Sequence, residues 1–259
     1  DDRFAFVHAY YYATQQIAAY NKILEPLFHK HLSGVTISLS RAPDGTAPSA
    51  GGGGSRGINV SFAKPVFDIS ILAHEIGHEI HRLLLGKGLH EVYEFPPTDF
   101  VRFAQQAGVI EGTANMLAAL YLGRSKIGEF DLYECAFDLD TFVRFPDRVP
   151  LLKDNAVFAM KSLNFAAHYP VTFEAARRSI QNPIPSTPSM PGLPDMTPLK
   201  LQPEPYRASA VINQPLWQAA VRFGFGEIQV LYLKTLQELK TFSSYSDLAN
   251  KLIEGSCGN

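Results

Sequence analysis

The stretch Ile71-Leu72-Ala73-His74-Glu75-Ile76-Gly77-His78-Glu79-Ile80-His81 decides how this chain is read. Ile71, Leu72, Ile76, Ile80, Leu83 and Leu84 recur at the spacing of one apolar helical face, which predicts a helix over residues 68–86. Residues four apart on a helix lie one turn above each other. His74 and His78 therefore converge, and two imidazoles so placed can hold one Zn²⁺ at roughly 2.0–2.1 Å. Glu75 stands one residue round from His74. It is displaced from the best ligand direction and well placed to hold a metal-bound water, as the general base of metal-assisted hydrolysis. Gly77 costs about 1 kcal/mol relative to alanine inside a helix, and it leaves room for another chain segment or a substrate to come close. The alternative, a polar helix face with solvated histidines, fits poorly with so apolar a setting.

Zinc needs a third protein ligand and an open fourth position. Glu91, Glu94, Asp99 and Glu111 follow in the sequence, and His81 lies on the same helix. His81 shares the ligand face but stands a further turn away, which suits a supporting or substrate-side position. Glu111 is the preferred ligand. It lies in Gly108-Val109-Ile110-Glu111-Gly112-Thr113-Ala114-Asn115, which runs into the apolar Met116–Leu122. A carboxylate buried in such a helix is costly alone, and a metal offsets that cost. The other reading of Glu111 is a favourable negative charge in the first turn of a helix. Asn115, four residues on, can accept the free N–H of a zinc-bound histidine.

Composition sets outer limits. Hydrophobic residues make up 46 % of the 259 and charged residues 19 %, enough apolar material for one large core or two lobes sharing one. The net charge of −2 gives no sign of a nucleic-acid surface. No apolar run approaches the ~20 residues of a transmembrane helix. The start at Asp1-Asp2-Arg3-Phe4 is neither a signal peptide nor an initiator sequence, so a trimmed or mature fragment is expected, destined for a secreted or cell-envelope location. Cys135 and Cys257 leave both one disulfide and two free thiols open.

Outward from the central helix, residues 3–32 read as a long helix with Phe6, Ala9, Tyr10, Ala13, Ile17, Tyr20, Ile23 and Leu27 on one face. Val35–Leu39 and Ile58–Phe62 read as strands. Residues 42–57 read as a loop, and Gly51-Gly52-Gly53-Gly54-Ser55 within it has the composition of a flexible, even engineered, linker. Further helices are expected near 99–123, 152–168, 171–181, 207–222, 225–240 and 245–254, with a proline-rich connector over 183–205. The expected fold class is α+β, mainly α: a single domain with a small β-containing lobe (1–86), a helical lobe (87–259), and the His74–His78 helix between them.

The His74–His78 helix followed by Glu111 in a Glu-Gly-Thr-Ala-Asn context resembles the gluzincin metallopeptidases, thermolysin and its relatives in particular. In that family a second helix supplies a glutamate ligand, and an acid four residues later orients a ligand histidine; here that later position is Asn115. Tyr206-Arg207-Ala208-Ser209-Ala210-Val211-Ile212-Asn213 resembles the family segment that opens with a transition-state-stabilising histidine. The resemblance thus implies that Tyr206 takes that histidine's place. It also implies an arginine that steadies the substrate carbonyl, for which Arg144 is the candidate and Arg148 the second, and an edge strand that binds the peptide, for which residues 57–63 are the candidate. The gap between His78 and Glu111 and the 183–205 insert depart from thermolysin, and no acidic cluster resembles its calcium sites.

The expected activity is zinc-dependent hydrolysis of a peptide or protein substrate, as an endopeptidase, by water that Glu75 activates. An aminopeptidase is a variant. A peptidase-like module that grips peptides without cutting, and a zinc hydrolase of another amide, remain alternatives.

Overall fold

A computed structural model of the chain describes residues 2–40, 51–53, 57–61, 68–85, 100–128, 137–139, 205–239 and 244–257. Six helices and five short strands lie among them, a mainly helical α+β architecture. The helices are α1 (Asp2–Phe28), α2 (Ile69–Leu85), α3 (Phe100–Leu122), α4 (Pro205–Phe223), α5 (Phe225–Glu238) and α6 (Tyr245–Cys257). The expected helices at 152–168 and 171–181 and the connector from 183 to 204 lie outside the described residues.

Helix α3 is the centre of the fold. From Gly108 to Leu120 every residue but Glu111 is buried, as expected of a helix that is apolar all round. Helices α2, α4 and α5 pack against it, and the α1 side chain of Tyr20 reaches it through a hydrogen bond to the Leu117 carbonyl. Gly123, at φ 64°, ends the helix in the left-handed conformation that glycine adopts without a Cβ penalty. Its N–H closes on the Ala119 carbonyl at 2.8 Å.

Helix α2 is fastened at both ends. Asp68, fully buried, accepts the Ser70 N–H at 2.9 Å as an N-terminal cap. The Ser70 hydroxyl accepts the Gly128 N–H at 2.8 Å, which ties the helix start to the chain following α3. At the other end the Lys30 ammonium donates to the carbonyls of Leu83 and Leu84 at 2.9 and 2.8 Å. A cation there answers both the unpaired carbonyls and the negative end of the helix dipole.

Helix α1 buries Ala9, Ala13 and Tyr20 of the expected face, with Ile17 and Ile23 partly buried against the core, but leaves Phe6, Tyr10 and Leu27 exposed. Ala5, Gln16 and Leu24 are buried as well. The buried set keeps the helical spacing but begins with three alanines, which allow a close approach to the neighbouring helix. Asn21 then holds the chain leaving α1, accepting the Leu32 N–H at 2.8 Å and donating to the Leu32 carbonyl at 3.1 Å. Helix α6 opens with a reciprocal cap in which Asp247 accepts the Ser244 N–H and the Ser244 hydroxyl accepts the Asp247 N–H.

A three-stranded sheet lies beside α2. Its strands β1 (Thr36–Ser40), β2 (Gly51–Gly53) and β3 (Gly57–Ser61) run in the order β1-β3-β2. Strand β3 is parallel to β1, with Ile37 opposite Ile58, and antiparallel to β2, with Gly52 opposite Ile58. Two sequence expectations are corrected here. Gly51–Gly53 form a strand, because backbone pairing to β3 needs no side chains. Strand β3 is central: Gly57–Asn59 pair with Gly51–Gly53 on one side and Gly57–Ser61 with Thr36–Ser40 on the other, so residues 57–59 of the proposed peptide-binding segment 57–63 are no free edge, while 62 and 63 lie outside the described residues. A second ribbon pairs β4 (Lys126–Ile127) with β5 (Phe137–Asp138). Among the described residues no helix is long and apolar enough to cross a membrane.

Candidate metal centre

Two glycines bring the relevant helices together. A Cβ on Gly77 would sit 2.9 Å from both the Cα and the carbonyl oxygen of Ala114, so α2 and α3 meet there backbone to backbone. The room expected beside Gly77 is thus filled by α3. On another face of α3, a Cβ on Gly112 would meet the Ser209 Cβ at 2.5 Å, which sets the approach of α4. Glu111 and Asn115 flank these contacts in sequence and are carried against the histidine face of α2.

The result is a three-atom cluster. His74 Nε2 and His78 Nε2 lie 3.0 Å apart. The Glu111 Oε2 lies 3.3 Å from the first and 3.4 Å from the second. In a tetrahedral site with bonds of roughly 2.0–2.1 Å, neighbouring ligand atoms are about 3.3 Å apart. These three residues, and among the described residues these alone, form a group able to hold a metal ion. Glu111 stands twelfth in α3, which excludes the first-turn reading of its charge.

The electron pairs point the same way. Asn115 Oδ1 lies 2.8 Å from His74 Nδ1 and can only accept, so Nδ1 carries the proton. In the tautomer with its proton on Nδ1, His74 turns Nε2 as an acceptor toward a carboxylate oxygen and a second imidazole nitrogen. Burial pushes the Glu111 carboxyl upward, but the adjacent His78 and His74 outweigh it and hold the acid ionised, well below the usual range. Two imidazole nitrogens and an ionised carboxylate at one point fit a cation. The donor set, two imidazoles and a carboxylate on two helices, is one that zinc accepts.

The Glu111 side chain is 12 % exposed, against 3 % for His74 and 7 % for His78, while its Oε2, the atom that faces the histidines, is buried.

Glu75 is buried next to His74, and its Oε2 has no hydrogen-bond partner among the described residues. Burial pushes its carboxyl up to about 7; the His74 charge lowers it, while Glu111 and Glu79 raise it. Glu79, also buried, is paired with Arg82 one turn on. His81 is buried, its Nδ1 without a partner among the described residues, and desolvation followed by the neighbouring His78 lowers it to about 3. It is therefore a neutral imidazole packed beyond the cluster. His78 likewise has an Nδ1 without a partner among the described residues, so only one of the two candidate ligand histidines is oriented by a described neighbour.

The remaining sequence candidates are less completely placed. Tyr206 lies in the first turn of α4, three residues before Ser209, and Pro205 opens the helix where the missing N–H costs nothing. Arg144, Arg148, Glu91, Glu94 and Asp99 lie outside the described residues, as does Cys135. Cys257 carries a free, exposed thiol. Sequence reasoning missed Gln16 and Tyr20, whose α1 side chains hydrogen-bond the helices that carry the cluster. Their only signal is polarity at positions of a buried face.

Compared with protein-family models, curated proteins and solved structures, the chain matches none of them.

Proposed function

We propose that this chain is a zinc-dependent endopeptidase of the gluzincin type, similar in its site and helix order to thermolysin. The carrying observation is the convergence of His74 Nε2, His78 Nε2 and Glu111 Oε2 within 3.0–3.4 Å, with His74 fixed by Asn115. Zinc bound there supplies a Lewis acid and makes a coordinated water acidic enough to attack at neutral pH.

The chain's own residues supply the rest. His74, His78 and Glu111 would hold the ion. Glu75 takes a proton from the attacking water as the new carbon–oxygen bond forms. It returns a proton to the amide nitrogen as the carbon–nitrogen bond breaks. A carboxyl raised to about 7 by burial is suited to moving protons in both directions near neutral pH. Tyr206 donates to the substrate carbonyl oxygen as negative charge develops, and Arg144 steadies the same oxygen. The substrate lies extended along a sheet edge. Strand β2 is the edge nearest α2, and its glycines offer backbone groups without side-chain obstruction.

The test is hydrolysis of an unstructured protein. Wild-type chain should cleave it, a chelator should stop cleavage, and added zinc should restore it. Glu75→Gln should bind zinc and cleave nothing. Peptides blocked at the amino terminus should still be cut; cleavage restricted to free amino termini would make the chain an aminopeptidase. Peptide binding without cleavage would make it a non-catalytic peptide-binding module.

A further inference from the structure

Two buried donors on α1 each grip one of the helices that carry the candidate ligands. Gln16 Nε2 donates to the carbonyl of Ala73, the residue before His74, at 3.0 Å. The Tyr20 hydroxyl donates to the carbonyl of Leu117, two residues after Asn115, at 2.7 Å. Gln16 and Tyr20 are four residues apart on α1, on one buried face. The Tyr20 oxygen also bonds the side chain of Gln229 on α5.

These bonds contribute nothing to forming α2 or α3 themselves. Ala73 and Leu117 lie inside their helices, where each carbonyl already accepts the N–H four residues on. What the extra bonds fix is the register of one helix against the other. The Gly77–Ala114 contact sets how near α2 and α3 come, but a flat backbone contact resists sliding and rotation weakly. A third helix bonded to a point on each partner resists both. The points gripped adjoin His74 on α2 and Asn115 on α3, so a slip at either would misplace the imidazoles relative to Glu111.

We propose that Gln16 and Tyr20 are positioning residues for the metal centre, and that α1 acts as a clamp holding the His74–His78 turn in register with Glu111 and Asn115. This rests on the reading of the cluster as a metal site.

Cobalt(II) serves as the probe, because its visible absorption reports ligand geometry without reference to turnover. Wild-type chain, Gln16→Met and Tyr20→Phe are titrated with Co²⁺ in competition with a chromophoric chelator, well below each protein's melting temperature. Asn21→Ala is the control, since the bonds of Asn21 tie α1 to His31 and Leu32 and to neither ligand-bearing helix. Each clamp variant should bind Co²⁺ about tenfold more weakly, the lower end of what lost support of a ligand costs, and should shift the absorption bands. Asn21→Ala should lower the melting temperature and leave affinity and spectrum unchanged. Should Gln16→Met not fold, Tyr20→Phe, which loses one oxygen, carries the comparison alone. Clamp variants that melt earlier yet keep wild-type affinity and spectrum overturn the clamp and leave the metal reading intact. Wild-type chain that binds no Co²⁺ overturns both.

Discussion

Asn115 Oδ1 accepts the Nδ1 proton of His74 at 2.8 Å, across the contact between α2 and α3. One hydrogen bond thus sets both the tautomer and the ring orientation of a candidate ligand. Asn115→Ala should weaken zinc binding by about 10–100-fold, read by chelator competition. Glu111→Ala, which leaves two ligands, should lose the metal outright. An Asn115→Ala variant more severely affected than Glu111→Ala would reverse the assignment of ligand and support.

Glycine in a helix normally costs stability, so replacing it with alanine normally gains about 0.5–1 kcal/mol. Gly226 in α5 has open space around it and should behave that way. Gly77→Ala should do the opposite. Its Cβ would lie 2.9 Å from backbone atoms of Ala114, which cannot rotate away. The expected loss is about 1–3 kcal/mol, the usual range for overpacking, together with weaker metal binding as α2 and α3 part. Chemical denaturation of the two variants side by side gives the comparison; equal gains in both would mean that α2 and α3 are not in backbone contact.

How far the site was legible follows from where its information lies. The candidate ligand pair, the proposed base Glu75 and Glu111 sit in two short segments whose spacing and apolar setting can be read directly. The role of Asn115 follows from its position four residues after Glu111. On α1 the apolar spacing identifies Ala9, Ala13 and Tyr20, which are buried, but also Phe6, Tyr10 and Leu27, which are exposed, because close packing admits the alanines and turns the larger residues beside them outward. The glycine run at 51–53 read as a linker because a strand held by backbone pairing alone leaves no side-chain pattern. Gln16 and Tyr20 act on carbonyls far away in sequence, and no local period records such a bond.

In the metal-free chain, Glu75 makes stability depend on pH in a definite direction. Burial raises its carboxyl from 4.5 to about 7, so the folded state holds this proton more tightly than the unfolded state. The group's contribution is complete below pH 4.5 and is lost as pH rises to about 7. Glu75→Gln is neutral throughout. In the presence of chelator the variant should match wild type near pH 4 and exceed it near pH 8, by about 1.4 kcal/mol for each unit of the shift at most. A melting-temperature difference that stays constant with pH would remove Glu75 from its buried, unpartnered setting.

Tyr206 leads the helix that Gly112 draws against α3. As oxyanion donor, its loss in Tyr206→Phe should lower kcat by roughly 10²–10³ with little change in KM, because the bond strengthens only in the transition state. Zinc content should be unchanged. Normal turnover by this variant would pass the role to another group, with Arg144, Arg207 and His81 next to test.

The central claim is that His74, His78 and Glu111 together hold zinc. Elemental analysis of chain purified without added metal tests it most directly, with His74→Ala and His78→Ala prepared in parallel. The account predicts about one zinc per wild-type chain, as a three-ligand site with an open position requires, and almost none in either variant. A wild-type chain without zinc that takes none up on addition, or variants that keep a full complement, would contradict it.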